Sequence, residues 1–200
     1  ATLTHTKDSS GLYSLQYKIV ENFAIIPGLR IGEANDGSFA MRASVFDFNF
    51  LGQSQIIGGF YQKDVFSSFG LYWEAPFLLS NKAGIGVNYI DNTSFEPIYE
   101  VGTIANYRKE DSGIEMYLLY EFDFHNRAEL GVRRFDESFH VETPSLETTL
   151  PEFVTANKFQ YRGQYELNFL ALDYQYVAGS RAQIDIAYQT GGKGVLANTL

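Results

Sequence analysis

Between Lys158 and Leu170, Phe159, Tyr161, Tyr165, Leu167 and Phe169 alternate with Gln160, Arg162, Gln164, Glu166 and Asn168. Side chains of a β-strand point to opposite faces in turn, so this segment is a strand with one apolar, aromatic face and one polar, charged face. A strand in a globular core runs about 5 or 6 residues, whereas a tilted strand crossing a bilayer needs roughly 9 to 11. The Lys158–Leu170 segment has the second length. A second segment repeats the pattern: Ile114, Met116, Leu118, Tyr120 and Phe122 alternate with Glu115, Tyr117, Leu119, Glu121 and Asp123. Carboxylates gathered on one face of a long strand suit a polar barrel interior, with the apolar face turned to lipid.

Composition narrows the alternatives. The chain is 45% hydrophobic, yet no apolar run approaches the ~18 residues of a membrane helix, which excludes a helical membrane protein. Its 17 Phe and 14 Tyr suit the interfacial girdles of a barrel. A net charge of -9 argues against nucleic acid as a partner, because no Lys/Arg stripe is available to displace counterions from phosphates. Cys is absent, so no disulfide framework constrains the fold. The chain starts at Ala1 without a basic or apolar leader. An export signal is therefore expected to have been removed or to lie outside this sequence, and the barrel pattern carries the localisation.

Along the chain, a polar stretch from Ala1 to Gly11 precedes a strand containing Tyr13, Leu15, Tyr17 and Ile19. The next run places Phe23, Ile25, Leu29 and Ile31 on one face and Gly28, Arg30 and Gly32 on the other, ahead of the turn signal Asn35-Asp36-Gly37. Pro27 lies inside that run and marks an edge strand, since proline cannot donate to a ladder. Phe39, Met41, Ala43 and Val45 form the apolar face of a further strand, which ends in Phe46, Phe48 and Phe50, an expected interfacial anchor. From Gln55 to Gln62 both faces are apolar or Gly, and periodicity does not orient the segment. Strands follow around Phe69–Ala75, Ala83–Tyr89 and Arg181–Gln189. Long polar connections are expected over Asp91–Ser112 and His140–Asn157, and tight turns near Gly52, Asn81 and Asn126. Long loops at one end and short turns at the other are a barrel signature. The expected fold is all-β, an antiparallel transmembrane β-barrel with nine or ten strands in this chain. Residues 1–21 form an N-terminal extension and residues 22–200 the barrel.

No enzyme chemistry is indicated. His5, His125 and His140 lie far apart, Gly52-Gln53-Ser54-Gln55-Ile56 lacks the closing Gly of a nucleophile elbow, and Thr190-Gly191-Gly192-Lys193-Gly194 lacks phosphate-loop spacing. No catalytic residue, metal site or cofactor is expected. Arg30, Arg42, Glu74, Glu115, Glu121, Arg133, Arg162 and Glu166 fall on the polar face. Two readings stay open for them: a lining that holds a plug or passes a client, and a solvated or mutually paired lumen face.

Several local signatures, in order, resemble those of the outer-membrane protein 85 superfamily of barrel assembly and secretion proteins. Gln16-Tyr17-Lys18-Ile19-Val20-Glu21 resembles the closing strand of a periplasmic POTRA domain, and Ile26-Pro27-Gly28 the start of the first barrel strand. Asp47-Phe48-Asn49-Phe50-Leu51-Gly52 and Glu74-Ala75-Pro76-Phe77-Leu78 resemble two of the family's turns. Leu172-Asp173 with Gly179-Ser180-Arg181 resembles a later connection, although Val177-Ala178 stands where the family has a Pro-containing approach. The resemblance implies the N-terminal half of a sixteen-stranded barrel in the bacterial outer membrane. Its N-terminus would be periplasmic, and residues 1–21 would be the end of a POTRA domain. It also implies that Phe23, Ile25, Pro27, Gly28, Leu29, Arg30, Ile31 and Gly32 form the edge of a lateral seam. Client strands would pair there for insertion or export. Implied partners are outer-membrane lipid, client outer-membrane or secreted proteins, and periplasmic or lipoprotein accessory subunits. A small passive channel or adhesin barrel is the alternative function class.

Overall fold

Thirteen strands and no helix occur among the residues described by the computed structural model, which are 2–7, 12–18, 23–34, 37–100, 103–143, 152–173 and 176–191. The strands are β1 (Thr2–Lys7), β2 (Tyr13–Lys18), β3 (Ile25–Glu33), β4 (Phe39–Phe50), β5 (Gln55–Lys63), β6 (Ser67–Ala75) and β7 (Ala83–Glu100). They continue as β8 (Thr103–Asp123), β9 (Asn126–Thr143), β10 (Phe153–Asn168), β11 (Ala171–Asp173), β12 (Tyr176–Ala178) and β13 (Arg181–Thr190). Nine of them form one sheet in the order β13-β10-β9-β8-β7-β6-β5-β4-β3, while β1-β2 and β11-β12 are separate two-stranded sheets. Thr2–Lys7 thus lies in a strand within the stretch that the sequence marked only as polar; it pairs antiparallel with Tyr13–Lys18.

All neighbours in the nine-stranded sheet are antiparallel. Its two edges, β3 and β13, therefore run in the same direction, and no ladder joins them among the described residues. Closing these nine strands on themselves would need a parallel seam, whereas antiparallel closure takes an even number of strands.

The period-2 pattern sorts the side chains as the sequence predicts. On β8, Ile114, Met116, Leu118, Tyr120 and Phe122 are between 42% and 60% exposed, while Tyr117 and Leu119 between them are 8% and 2% exposed. Register carries the outer row across the sheet through Leu130 and Val132 on β9, Tyr161 and Tyr165 on β10, and Ile184 and Ile186 on β13. In the other direction it continues through Val87, Leu71, Val45 and Leu29. So large an apolar surface facing out is incompatible with water, and lipid is the environment that accepts it. The buried residues Tyr117, Leu119, Phe135 and Glu137 all sit on the inner face.

That register also orients β5, which the sequence left undecided: Ile57 and Tyr61 lie opposite the outward Trp73 and Phe69, and Gly58 and Phe60 face inward. The expected anchor cluster divides. Phe46 faces inward, with its ring 5.8 Å from Tyr72 and 6.1 Å from Phe48.

The apolar belt on β8 ends at Ile114; further along, the outward positions become Ser112, Glu110 and Arg108. The strand nevertheless continues, because β7 and β8 stay paired out to Glu100 and Thr103. The expected polar connection over Asp91–Ser112 is therefore mostly hairpin. Outside lipid both faces of a ladder can be polar, so polarity there does not signal a loop. At the same end β9 runs to Thr143 and β10 starts at Phe153, and residues 144–151 of the second expected connection lie outside the described residues. The opposite end has the tight turns 51–54, 76–82 and 124–125.

Candidate functional site

The strand with proline in its run is one edge of the sheet. β3 pairs with β4 from Ile25↔Asp47 to Glu33↔Phe39 without a register shift. Two bonds fix which residues carry the ladder. The Phe48 amide donates to Ala24 O at 3.0 Å, and the Ala34 amide donates to Ser38 O at 2.8 Å. Antiparallel partners alternate between bonded and non-bonded pairs. Ile26, Gly28, Arg30 and Gly32 therefore bond to β4, and Ile25, Leu29, Ile31 and Glu33 turn their N–H and C=O groups to the free edge. Pro27 shares that second set, so its missing N–H is absent from the free edge and costs the β3-β4 ladder nothing.

Pro27→Ala leaves every β3-β4 bond intact and should change unfolding stability by less than about 0.5 kcal/mol, while restoring an edge donor should increase edge-to-edge association. Urea unfolding together with the sedimentation profile in detergent checks both. A large stability loss would mean that the proline N–H position lies inside the ladder.

The inner face carries a charge network across five strands. Arg127 on β9 grips Glu74 on β6 with both terminal nitrogens, at 3.0 and 2.6 Å, and its Nε donates to Glu129 at 2.9 Å. Arg162 on β10 donates to Glu115 on β8 at 2.7 Å, to Glu129 at 3.0 Å and to Gln164 at 2.5 Å. The Tyr117 hydroxyl donates to Glu74 at 2.7 Å, and the Asn88 side-chain amide donates to Glu115 at 3.3 Å. Three carboxylates thus share two guanidiniums, and each guanidinium touches two of the three. At the turn end, Arg181 on the second edge strand pairs with Glu166 at 2.9 Å. The paired-lumen reading of Glu74, Glu115, Arg162 and Glu166 matches this geometry. Arg127, Glu129 and Tyr117 complete the network; the two charges share the parity of Arg133 along β9, which is the sequence signal for them.

Beyond the belt, on the inner face, Arg133 pairs with Asp111 at 2.5 Å, Lys109 with Glu137 at 3.1 Å, and Lys158 also with Glu137. Burial raises the Asp111 carboxyl above the usual carboxylate range, with Arg133 and Lys109 pulling the other way. Burial also acts to raise Glu137, but hydrogen bonds from Lys158 and Lys109 outweigh it and hold that carboxyl below the usual range. A depressed folded-state pKa contributes stability that is present above the unfolded value and lost as pH falls through the folded one. On acidification Asp111 should take up its proton first, and the Glu137 contribution should disappear last, below the ordinary carboxylate range. Glu137→Gln should flatten the acid limb of the stability curve, as read by urea midpoints against pH. An unchanged acid limb would remove Glu137 from the cluster's titration.

Together these features define a class: one lipid-facing surface, a charge-paired inner surface and two free edges are parts of a transmembrane β-barrel. Among solved structures, the chain is similar to the crystal structure of BamA from Haemophilus ducreyi lacking POTRA domains 1-3, with a TM-score of 0.65 at 17% identity. The match covers 97% of this chain and 40% of that chain, so this chain spans well under half of that protein's solved length. The likeness shows the fold. No family model matches the chain, and no curated protein does so either.

Proposed function

We propose that this chain is the N-terminal part of an outer-membrane barrel of the outer-membrane protein 85 superfamily, and that it assists insertion or export of client proteins at a seam edged by β3. On this reading residues 1–21 are the end of a periplasmic POTRA domain and residues 22–200 belong to a sixteen-stranded barrel. The seam residues are Phe23, Ile25, Pro27, Gly28, Leu29, Arg30, Ile31 and Gly32. The partners are outer-membrane lipid, client proteins and accessory subunits of the periplasm or of lipoprotein type. The mechanism is nonchemical. An incoming strand pairs with backbone groups of β3, which lowers the cost of bringing an unpaired strand into hydrocarbon, where each unsatisfied group costs several kcal/mol.

The observation that carries this reading is the free edge of β3. It presents Ile25, Leu29 and Ile31 toward lipid and, through Pro27, lacks one donor, so a seam there holds less tightly than a complete ladder. A Cys at Ile25 in intact outer membranes should crosslink to a stalled client strand or to the barrel's own last strand. Crosslinks only to segments inside the barrel would sink the seam.

A further inference from the structure

Arg30 and Arg42 are direct register partners on the inner face of the edge strand and its neighbour. Like charges placed opposite each other across a ladder repel. Among the described residues, every other inner-face arginine, namely Arg127, Arg133, Arg162 and Arg181, has a carboxylate partner. Arg30 and Arg42 have none. Arg42 lies over the Phe60 ring at 4.0 Å, and the residue facing it on β5 is Gln62. The nearby carboxylate of Asp64 is taken by the Gln62 amide and the Phe66 N–H, each at 2.9 Å. Glu33 belongs to the outward set of β3. The sheet therefore supplies two adjacent guanidiniums beside the free edge without supplying their counter-charge.

The ladder locates where a counter-charge can enter. Arg30 spends its backbone bonds on β4, so toward the free edge it occupies a non-bonded position, where facing Cα atoms come within about 4.5 Å and side chains lie closest. A carboxylate on a strand added there would face Arg30 directly, with Arg42 one strand further in. We infer that the strand received by this edge carries Asp or Glu at the inward position opposite Arg30. This rests on the seam reading above and adds the chemistry of the partner. A polypeptide strand fits better than a lipid phosphate, because the outer side of β3 is Leu29 and Ile31 and both arginines face away from lipid.

The test uses the whole barrel that contains this chain, carrying Gly32→Cys; these 200 residues hold no Cys, and any Cys elsewhere in the barrel is replaced by Ser. A Cβ at Gly32 meets nothing within 4 Å, and the position lies two residues from Arg30 on the same face. Folded into phosphatidylcholine vesicles, this variant is offered, with a mild copper-phenanthroline oxidant to take up the two electrons of disulfide formation, a synthetic strand of alternating apolar residues with a Cys opposite Gly32 and either Glu or Lys opposite Arg30. The Glu strand should form about fivefold more disulfide than the Lys strand, Arg30→Gln should erase the difference, and Arg30→Glu should reverse it. Equal yields for the two strands would overturn the charge selection while leaving strand addition standing. No disulfide with either strand would overturn the seam reading, and this inference with it.

Discussion

Gly84→Ala should cost about 3 kcal/mol or prevent folding. A Cβ built at Gly84 would lie 2.1 Å from Ala75 O and 2.4 Å from both Pro76 C and Pro76 O. All three are backbone atoms, so no side chain can rotate away. Relief would require the 76–82 turn to shift, and that turn is held by the Leu79 and Ser80 amides, each donating to Ala83 O at 3.1 Å. Ala75 is 1% exposed, which leaves no slack on its side. Gly86→Ala is the graded companion. Its Cβ would meet the Tyr117 ring at 2.1 Å, a side chain that can yield only by giving up its bond to Glu74. Gly32→Ala meets open space and should be close to neutral. Fluorescence of the single Trp, Trp73, during urea unfolding in vesicles ranks the three variants. Equal midpoints for Gly84→Ala and Gly32→Ala would show that the close approach of β7 to the Ala75-Pro76 backbone is not real.

Much of this architecture was legible because a two-residue period is hard to counterfeit over a membrane-length strand. On β8 and β10 each residue's face follows from the alternation alone, and Pro27 marked the edge through the donor it lacks. What escaped the sequence has physical reasons. β5 carries apolar residues and glycines on both faces, so only its register with β4 and β6 fixes which side meets lipid. The β7-β8 hairpin above the belt read as a loop because its residues are polar. A ladder outside the bilayer is held by its backbone bonds and needs no apolar face there. β1 went unread for a similar reason, as Leu3 is the one apolar residue in Thr2–Lys7 and gives no apolar/polar alternation to follow. The charge network was half legible. Parity places Glu74, Glu115 and Arg162 on the inner face, but which carboxylate meets which guanidinium depends on the stagger of strands far apart in sequence. Arg127 reaches Glu74 across 53 residues of chain. The direction of the free backbone groups on β3 likewise needed the ladder bonds at Ala24 and Ala34.

Removing Arg127 tests whether that network is structural, and Arg127→Ala is expected to destabilise the barrel by about 3 kcal/mol. Among the described residues its guanidinium is the sole cationic contact of Glu74 and one of two for Glu129, whose side chains are 14% and 11% exposed. Deleting one partner of such a pair leaves the other's charge desolvated and uncompensated, a heavier loss than the net worth of the pair. Partial exposure of Arg127 itself, at 27%, keeps the expectation at the lower end of the range for buried pairs. Arg127→Lys retains a charge but cannot reproduce the two-pronged grip on Glu74 together with the bond to Glu129, so it should recover only part of the loss. The discriminating variant is Arg127→Ala with Glu74→Gln. The neutral amide removes the stranded charge and still accepts the Tyr117 hydroxyl, so the double variant should be more stable than Arg127→Ala alone, a coupling that simple additivity does not produce. If the double variant is instead less stable by the sum of the two single effects, Arg127 and Glu74 act independently, and the inner face is a solvated lining.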